Sequence, residues 1–170
     1  MADGTQAQEQ EKEQARTQAQ AAQGHGLAER IVVGVDGSGA SEHALGWALR
    51  LARLTGGEID AVTAWEIPPS LGWNAIIDYD LEPGAAETLH RSVEAALAAN
   101  PGAEVRISET VGRGNTAQIL IERAREADLL VVGNRGMGGF TGALLGSVSQ
   151  HVVQRATCPV VVVRTDDHKD

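Results

Sequence analysis

The residues best suited to chemistry lie in one stretch, VVGNRGMGGFTGALLGSVSQHVV, Val131 to Val153, with glycine at 133, 136, 138, 139, 142 and 146 and serine at 147 and 149. A glycine lets a bound group approach the backbone because no β-carbon intervenes. The serine hydroxyls can donate to an oxyanion, and Arg135 can pair with a phosphate. A Val and Leu run enters the stretch and a helical pattern leaves it. Free backbone N–H groups and the positive end of a helix dipole would then face whatever binds there. That combination favours phosphate; the competing reading is a flexible surface turn.

Elimination narrows the type of phosphate site. A P-loop needs a Gly-Lys pair entering its helix, and the two lysines, Lys12 and Lys169, stand near the chain ends. The dinucleotide fingerprint should follow the first strand; there the chain offers GVDGSG, Gly34 to Gly39, with Glu58 as the acid about 20 residues on, a weak match. Asp36 within it has two readings, a cap for the following helix or a ligand contact. No Ser-His-Asp order with supporting turns, and no H-x-x-x-H or C-x-x-C spacing, is present. Asp78, Asp80 and Glu82 could line a site mouth or help hold Mg2+, but read better as a solvated loop. Cys158, before Pro159, reads as a small buried hydrophobe, and His43 and His151 as surface or packing residues on helices.

The elements that must position the glycine stretch follow from periodicity. RIVVGVDGS is a β-branched run with a turn behind it, and Ala44, Leu45, Ala48, Leu49 and Ala52 then recur at helical spacing, with Ser38 as N-cap and Gly56 as stop. The unit repeats. EIDAVTAWEI, AEVRISETV, DLLVVG and PVVVVR read as strands, while AAETLHRSVEAALAAN, TAQILIERAREA and GALLGSVSQHVVQRA read as helices. Unbroken Val and Leu strands are buried on both faces, so the expected fold is α/β, one Rossmann-like domain with a five-stranded parallel sheet and helices on both faces. Glu66 to Gly84 is a long connection of the kind that often serves as a binding loop.

With 170 residues the chain supports one domain. The expected boundaries are a disordered Gln, Ala and Glu-rich tail over 1–28, a folded domain over 29–165 and a short tail over 166–170. Net charge is −9, which argues against a nucleic-acid partner. No apolar run approaches the ~18 residues of a membrane span. A single cysteine fits a reducing compartment, and the expected location is cytoplasmic.

Gly133-x-x-Gly136, nine residues, then Gly146-Ser147 resembles the signature of the universal stress protein family in its ATP-binding branch. The resemblance extends to IVVGVDGS, GNTAQILIERAREADLLVVGNRGMGG and ATCPVVVVR, and covers about residues 30 to 164. It implies a sheet in the order 3-2-1-4-5. It also implies ATP with Mg2+ bound near Gly34, Asp36, Ala64, Gly133, Arg135, Gly136, Gly146, Ser147, Val148 and Ser149. In that scheme the glycine loop and the Gly146-Ser147 turn wrap the phosphates, Asp36 lies near the ribose and adenine, and the Ala64 backbone contacts adenine. Asn134 departs from the pattern, standing where a small hydroxyl residue is common. The implied role is a nucleotide-occupied stress-response or signalling module, homodimeric through the last strand, Pro159 to Val163. The alternatives are a slow ATPase or nucleotide-dependent transferase in the same pocket, or a nucleotide-free interaction protein. Nothing in the sequence is arranged to activate water against a γ-phosphate, so any hydrolysis is expected to be slow.

Overall fold

The computed structural model describes residues 29–66, 81–102, 104–138 and 144–165. The expected tails, Asp78 and Asp80 lie outside them. Within the described residues strands and helices alternate: β1 (Arg30–Gly34), α1 (Gly39–Thr55), β2 (Glu58–Trp65), α2 (Glu82–Ala99), β3 (Ile107–Arg113), α3 (Thr116–Arg123) followed by a 3-10 turn (Ala124–Glu126), β4 (Leu129–Gly133), α4 (Ser147–Arg155) and β5 (Val160–Val163). All four strand pairings are parallel, in the order β3-β2-β1-β4-β5. The expected architecture is the observed one.

Strand alternation divides the core into two layers. Ile31, Val33 and Val35 point to one face and pack with Leu45 and Leu49 of α1 and Leu89 and Val93 of α2. Val32, Val62 and Val132 point to the other and pack with Leu120 of α3 and Val152 of α4. Each fully buried Leu or Val stabilises by about 1.5–3 kcal/mol relative to exposure, so both layers are needed to hold the sheet. β5 is an edge strand, and its four valines are only half-buried.

Helix ends follow the local sequence. Ser38 caps α1, its hydroxyl oxygen accepting from the Ser41 N–H at 3.3 Å, and Gly56 closes it in the left-handed conformation (φ 73°). Several elements are shorter than periodicity suggests, β3 and α4 most of all. β3 begins at Ile107, where pairing with Ile59 starts, rather than at Ala103. α4 begins at Ser147, because the Gly146 N–H is turned back onto the Asn134 carbonyl (2.7 Å) and cannot extend the helix.

The sheet order reverses between β1 and β4: β1 connects outward to β2, while β4 connects outward to β5 on the other side. Their connections leave the carboxyl ends in opposite directions and open a crevice, the place where such sheets bind ligands.

Candidate functional site

The crevice is a cavity of about 280 Å3, near the lower end of the ~300–1,000 Å3 common for small-molecule sites. One wall is the β1–α1 turn, with Gly34, Asp36 and Ser41; the other is Gly133, Arg135, Gly136 and the start of α4, Gly146 to Ser149. Val35, Leu120, Val132 and Leu145 make much of the remaining lining apolar. A larger open depression, about 870 Å3, lies at the opposite end of the sheet. Its charges pair among themselves, Arg106 with Glu58 at 3.3 Å and Arg30 with Glu126 at 3.8 Å, and it faces the amino ends of the strands, so the crevice is the better candidate.

The two glycine segments meet directly. The Gly146 N–H donates to the Asn134 carbonyl, and a β-carbon on Gly146 would sit 3.4 Å from the Arg135 Cα, an ordinary contact. The buried Ser149 hydroxyl donates to the Gly133 carbonyl at 2.7 Å, pinning α4 to the end of β4. With no side chain capping α4, the amides of Ser147, Val148 and Ser149 have no intrahelical acceptor, and these residues line the cavity. A nine-residue helix thus adds its positive end to three backbone donors.

Gly133 and Gly136 are glycines for a reason that spacing does not reveal. A β-carbon on Gly133 would stand 2.7 Å from the carbonyl carbon of Ala40, so the missing side chain lets the end of β4 close onto the first turn of α1. A β-carbon on Gly136 would collide with the Asp36 carboxylate. The sequence-based expectation had phosphate oxygens filling both vacancies; in the fold, protein atoms fill them.

Asp36 links the two walls. Its Oδ1 accepts from the Ser38 N–H (3.0 Å) and the Ser38 hydroxyl (2.6 Å), and its Oδ2 from the Met137 N–H (2.9 Å). Its own N–H donates to the Ser41 hydroxyl (3.3 Å). Burial alone would raise the carboxyl pKa, but the Ser38 hydroxyl, the Met137 and Ser38 amides and Ser41 outweigh it and hold the group below its ordinary value. Asp36 is therefore not the α1 cap; it fastens the residue that is.

The structure brings all the expected site residues to the crevice except Ala64. That residue is the last but one of β2, opposite Gly112, and lines no part of the cavity formed by the described residues. Asn134 is buried, and its Oδ1 has no partner among the described residues. Ser41, Thr116, Leu120 and Met137 join the lining although none was expected as a site residue; the position of Thr116, at the start of the helix behind β3, offered a signal. Among the described residues no three His, Cys, Asp or Glu side chains converge. A Mg2+ here would be held mainly through a ligand's phosphates.

The chain matches the model of the universal stress protein family over residues 27–164. It belongs to that family. A universal stress protein of Mycolicibacterium smegmatis is 40% identical over 140 residues, which is 79% of this chain and 45% of the relative. The chain thus spans about half the length of the curated relatives it matches, those of Mycobacterium tuberculosis included. Among solved structures, a universal stress protein in complex with cAMP is 32% identical with a TM-score of 0.57, covering 81% of this chain and 97% of that one. A hypothetical protein solved as a test case of structural genomics, 18% identical, shares the fold with a TM-score of 0.68, covering 82% and 97%.

Proposed function

We propose that the crevice binds an adenine nucleotide, ATP with Mg2+, and that the chain acts as a nucleotide-occupied stress-response or signalling module. The observation that carries the reading is the uncapped start of α4, whose first three residues line a cavity that is otherwise largely apolar. Phosphates sit on the Ser147, Val148 and Ser149 amides with Arg135 beside them, the sugar faces Asp36, and the base lies against Val35, Leu120 and Val132. Ala64 contributes through its backbone at the neighbouring strand end. That a family relative of 32% identity has been solved in complex with cAMP supports a nucleotide as the ligand class.

The chain's own groups bind and orient in this reading. Asp36, the one acid among the described residues lining the crevice, has its carboxylate engaged by Ser38 and Met137, which favours nucleotide being held rather than turned over quickly. The half-buried valines of β5 favour a homodimer through that edge, which would cover an otherwise open row of strand N–H and C=O groups. The same reading places the protein in the cytoplasm; no described helix is long and apolar enough to cross a membrane.

The test is to denature purified protein and quantify ATP, ADP and AMP released per chain, then to repeat after incubating nucleotide-free protein with Mg-ATP. Near-stoichiometric ATP supports the reading. Mostly ADP shifts it to a slow ATPase, and no nucleotide in either sample leaves an interaction protein with an empty crevice.

A further inference from the structure

We propose that Asp36 is a latch that counts sugar hydroxyls: a ligand presenting a free vicinal diol to its carboxylate displaces the Met137 amide and releases the Gly136–Gly138 segment, whereas a ligand with one free hydroxyl leaves the latch closed. The inference rests on the nucleotide reading above, with the sugar at Asp36.

A carboxylate has about four acceptor positions, two on each oxygen. Both positions on Oδ1 are taken by Ser38, through its N–H at 3.0 Å and its hydroxyl at 2.6 Å. One position on Oδ2 is taken by the Met137 N–H at 2.9 Å. Among the described residues a single position remains. A 3′,5′-cyclic nucleotide, or a 2′-deoxynucleotide, offers one hydroxyl and fits the closed arrangement. A ribonucleotide with both 2′ and 3′ hydroxyls offers two donors for one vacancy, and engaging both on the carboxylate requires one existing donor to leave.

The donor that leaves is set by what holds each one. Ser38 is the N-cap of α1, two residues from Asp36, and its hydroxyl oxygen also accepts from the Ser41 N–H. Giving up Ser38 would break two bonds to Oδ1 at once and disturb the hydroxyl that caps α1, a helix that packs against the centre of the sheet. Met137 is 101 residues away in sequence, exposed, and on the connection between β4 and α4. It holds Oδ2 through a single bond, and because it is exposed, water can replace Asp36 as its acceptor. Gly136 lies directly against Oδ2, so it moves with its neighbour. Occupancy by a diol would thereby become visible on the protein surface, at the exposed Met137 side chain.

The chain contains two methionines, Met1 and Met137. Feeding [15N]methionine therefore gives the full-length protein one observable labelled backbone amide, that of Met137, because the terminal amine exchanges too fast to be seen. Its resonance and solvent-exchange rate are compared in nucleotide-free protein and with saturating ATP, 2′-deoxy-ATP and 3′,5′-cyclic AMP, binding of each being established separately by equilibrium dialysis. The expected result is that ATP shifts the resonance and speeds exchange about ten-fold or more, as loss of a charge-assisted hydrogen bond requires, while the two one-hydroxyl ligands bind and leave it protected. Because 2′-deoxy-ATP keeps the triphosphate, that contrast isolates the sugar. ATP binding with an unchanged Met137 amide overturns the latch alone, and equal release by ATP and 2′-deoxy-ATP overturns the hydroxyl count. No binding of any of the three overturns the nucleotide reading and the latch with it.

Discussion

Gly133 and Ala40 touch backbone to backbone: a β-carbon on Gly133 would lie 2.7 Å from the Ala40 carbonyl carbon and 2.9 Å from its oxygen. Neither partner can rotate away, because one ends a central strand and the other is in the first turn of α1. Gly133→Ala should therefore destabilise by about 1–3 kcal/mol, the usual cost of overpacking, read as a lower urea midpoint at unchanged slope.

Gly146 is a different kind of glycine. Its β-carbon position is in ordinary contact only, and its φ of −73° suits any residue. Gly146→Ala should stay within about 0.5 kcal/mol of the parent. Gly146→Glu should keep the fold while losing nucleotide, since it sets negative charge beside the α4 amides. Unchanged ATP affinity of Gly146→Glu in equilibrium dialysis, with a native circular dichroism spectrum, would remove the phosphate assignment.

The Asp36 carboxyl is held below its ordinary value of 3.8, so folding favours its ionised form. Its stabilising contribution is fully present above about pH 4 and declines as pH falls through 3.8 toward the lower folded-state value. The stability gap between the parent and Asp36→Asn should accordingly be widest near neutrality and narrow in acid. A gap that widened below pH 4 would contradict the bonding described for Ser38 and Met137.

Asp60 is buried at the middle of β2, and its carboxylate accepts from the Thr110 hydroxyl at 2.8 Å and the Ser108 hydroxyl at 3.4 Å, with Arg123 at 3.5 Å and Arg30 at 3.7 Å. Both arginines reach solvent, which weakens the ionic part. Asp60→Ala should still cost about 1–3 kcal/mol in urea titrations, because the Thr110 hydroxyl loses its acceptor. Nucleotide binding should be unaffected, Asp60 lying on the sheet away from the crevice lining.

His90 on α2 faces Glu109 on β3 at 3.1 Å, and the Glu109 carboxylate raises the imidazole above its ordinary 6.5. The contact favours folding below about pH 6.5 and fades as pH rises through the raised value. An NMR titration of the His90 ring should show the elevated midpoint in the parent and a return toward 6.5 in Glu109→Gln.

Much of this molecule was legible in the chain itself. An uninterrupted apolar strand such as LLVVG requires cover on both faces, so the parallel sheet with helices above and below follows from composition along the chain. Ser38 and Gly56 marked the ends of α1 because capping depends on the residue and its immediate neighbours. The start of α4 was misplaced by periodicity, since a hydrogen bond to Asn134, twelve residues earlier, decides it.

The sequence by itself determined which segments become strands and helices, because hydrophobic period, capping and glycine content act over a few residues. Only the tertiary structure decided what each polar or small residue is for. Gly133 could be assigned to Ala40, and Gly136 and the Met137 amide to Asp36, only after β1 and β4 lay side by side. These contacts join residues about 90 to 100 positions apart, and no local pattern encodes a distance that the sheet order sets.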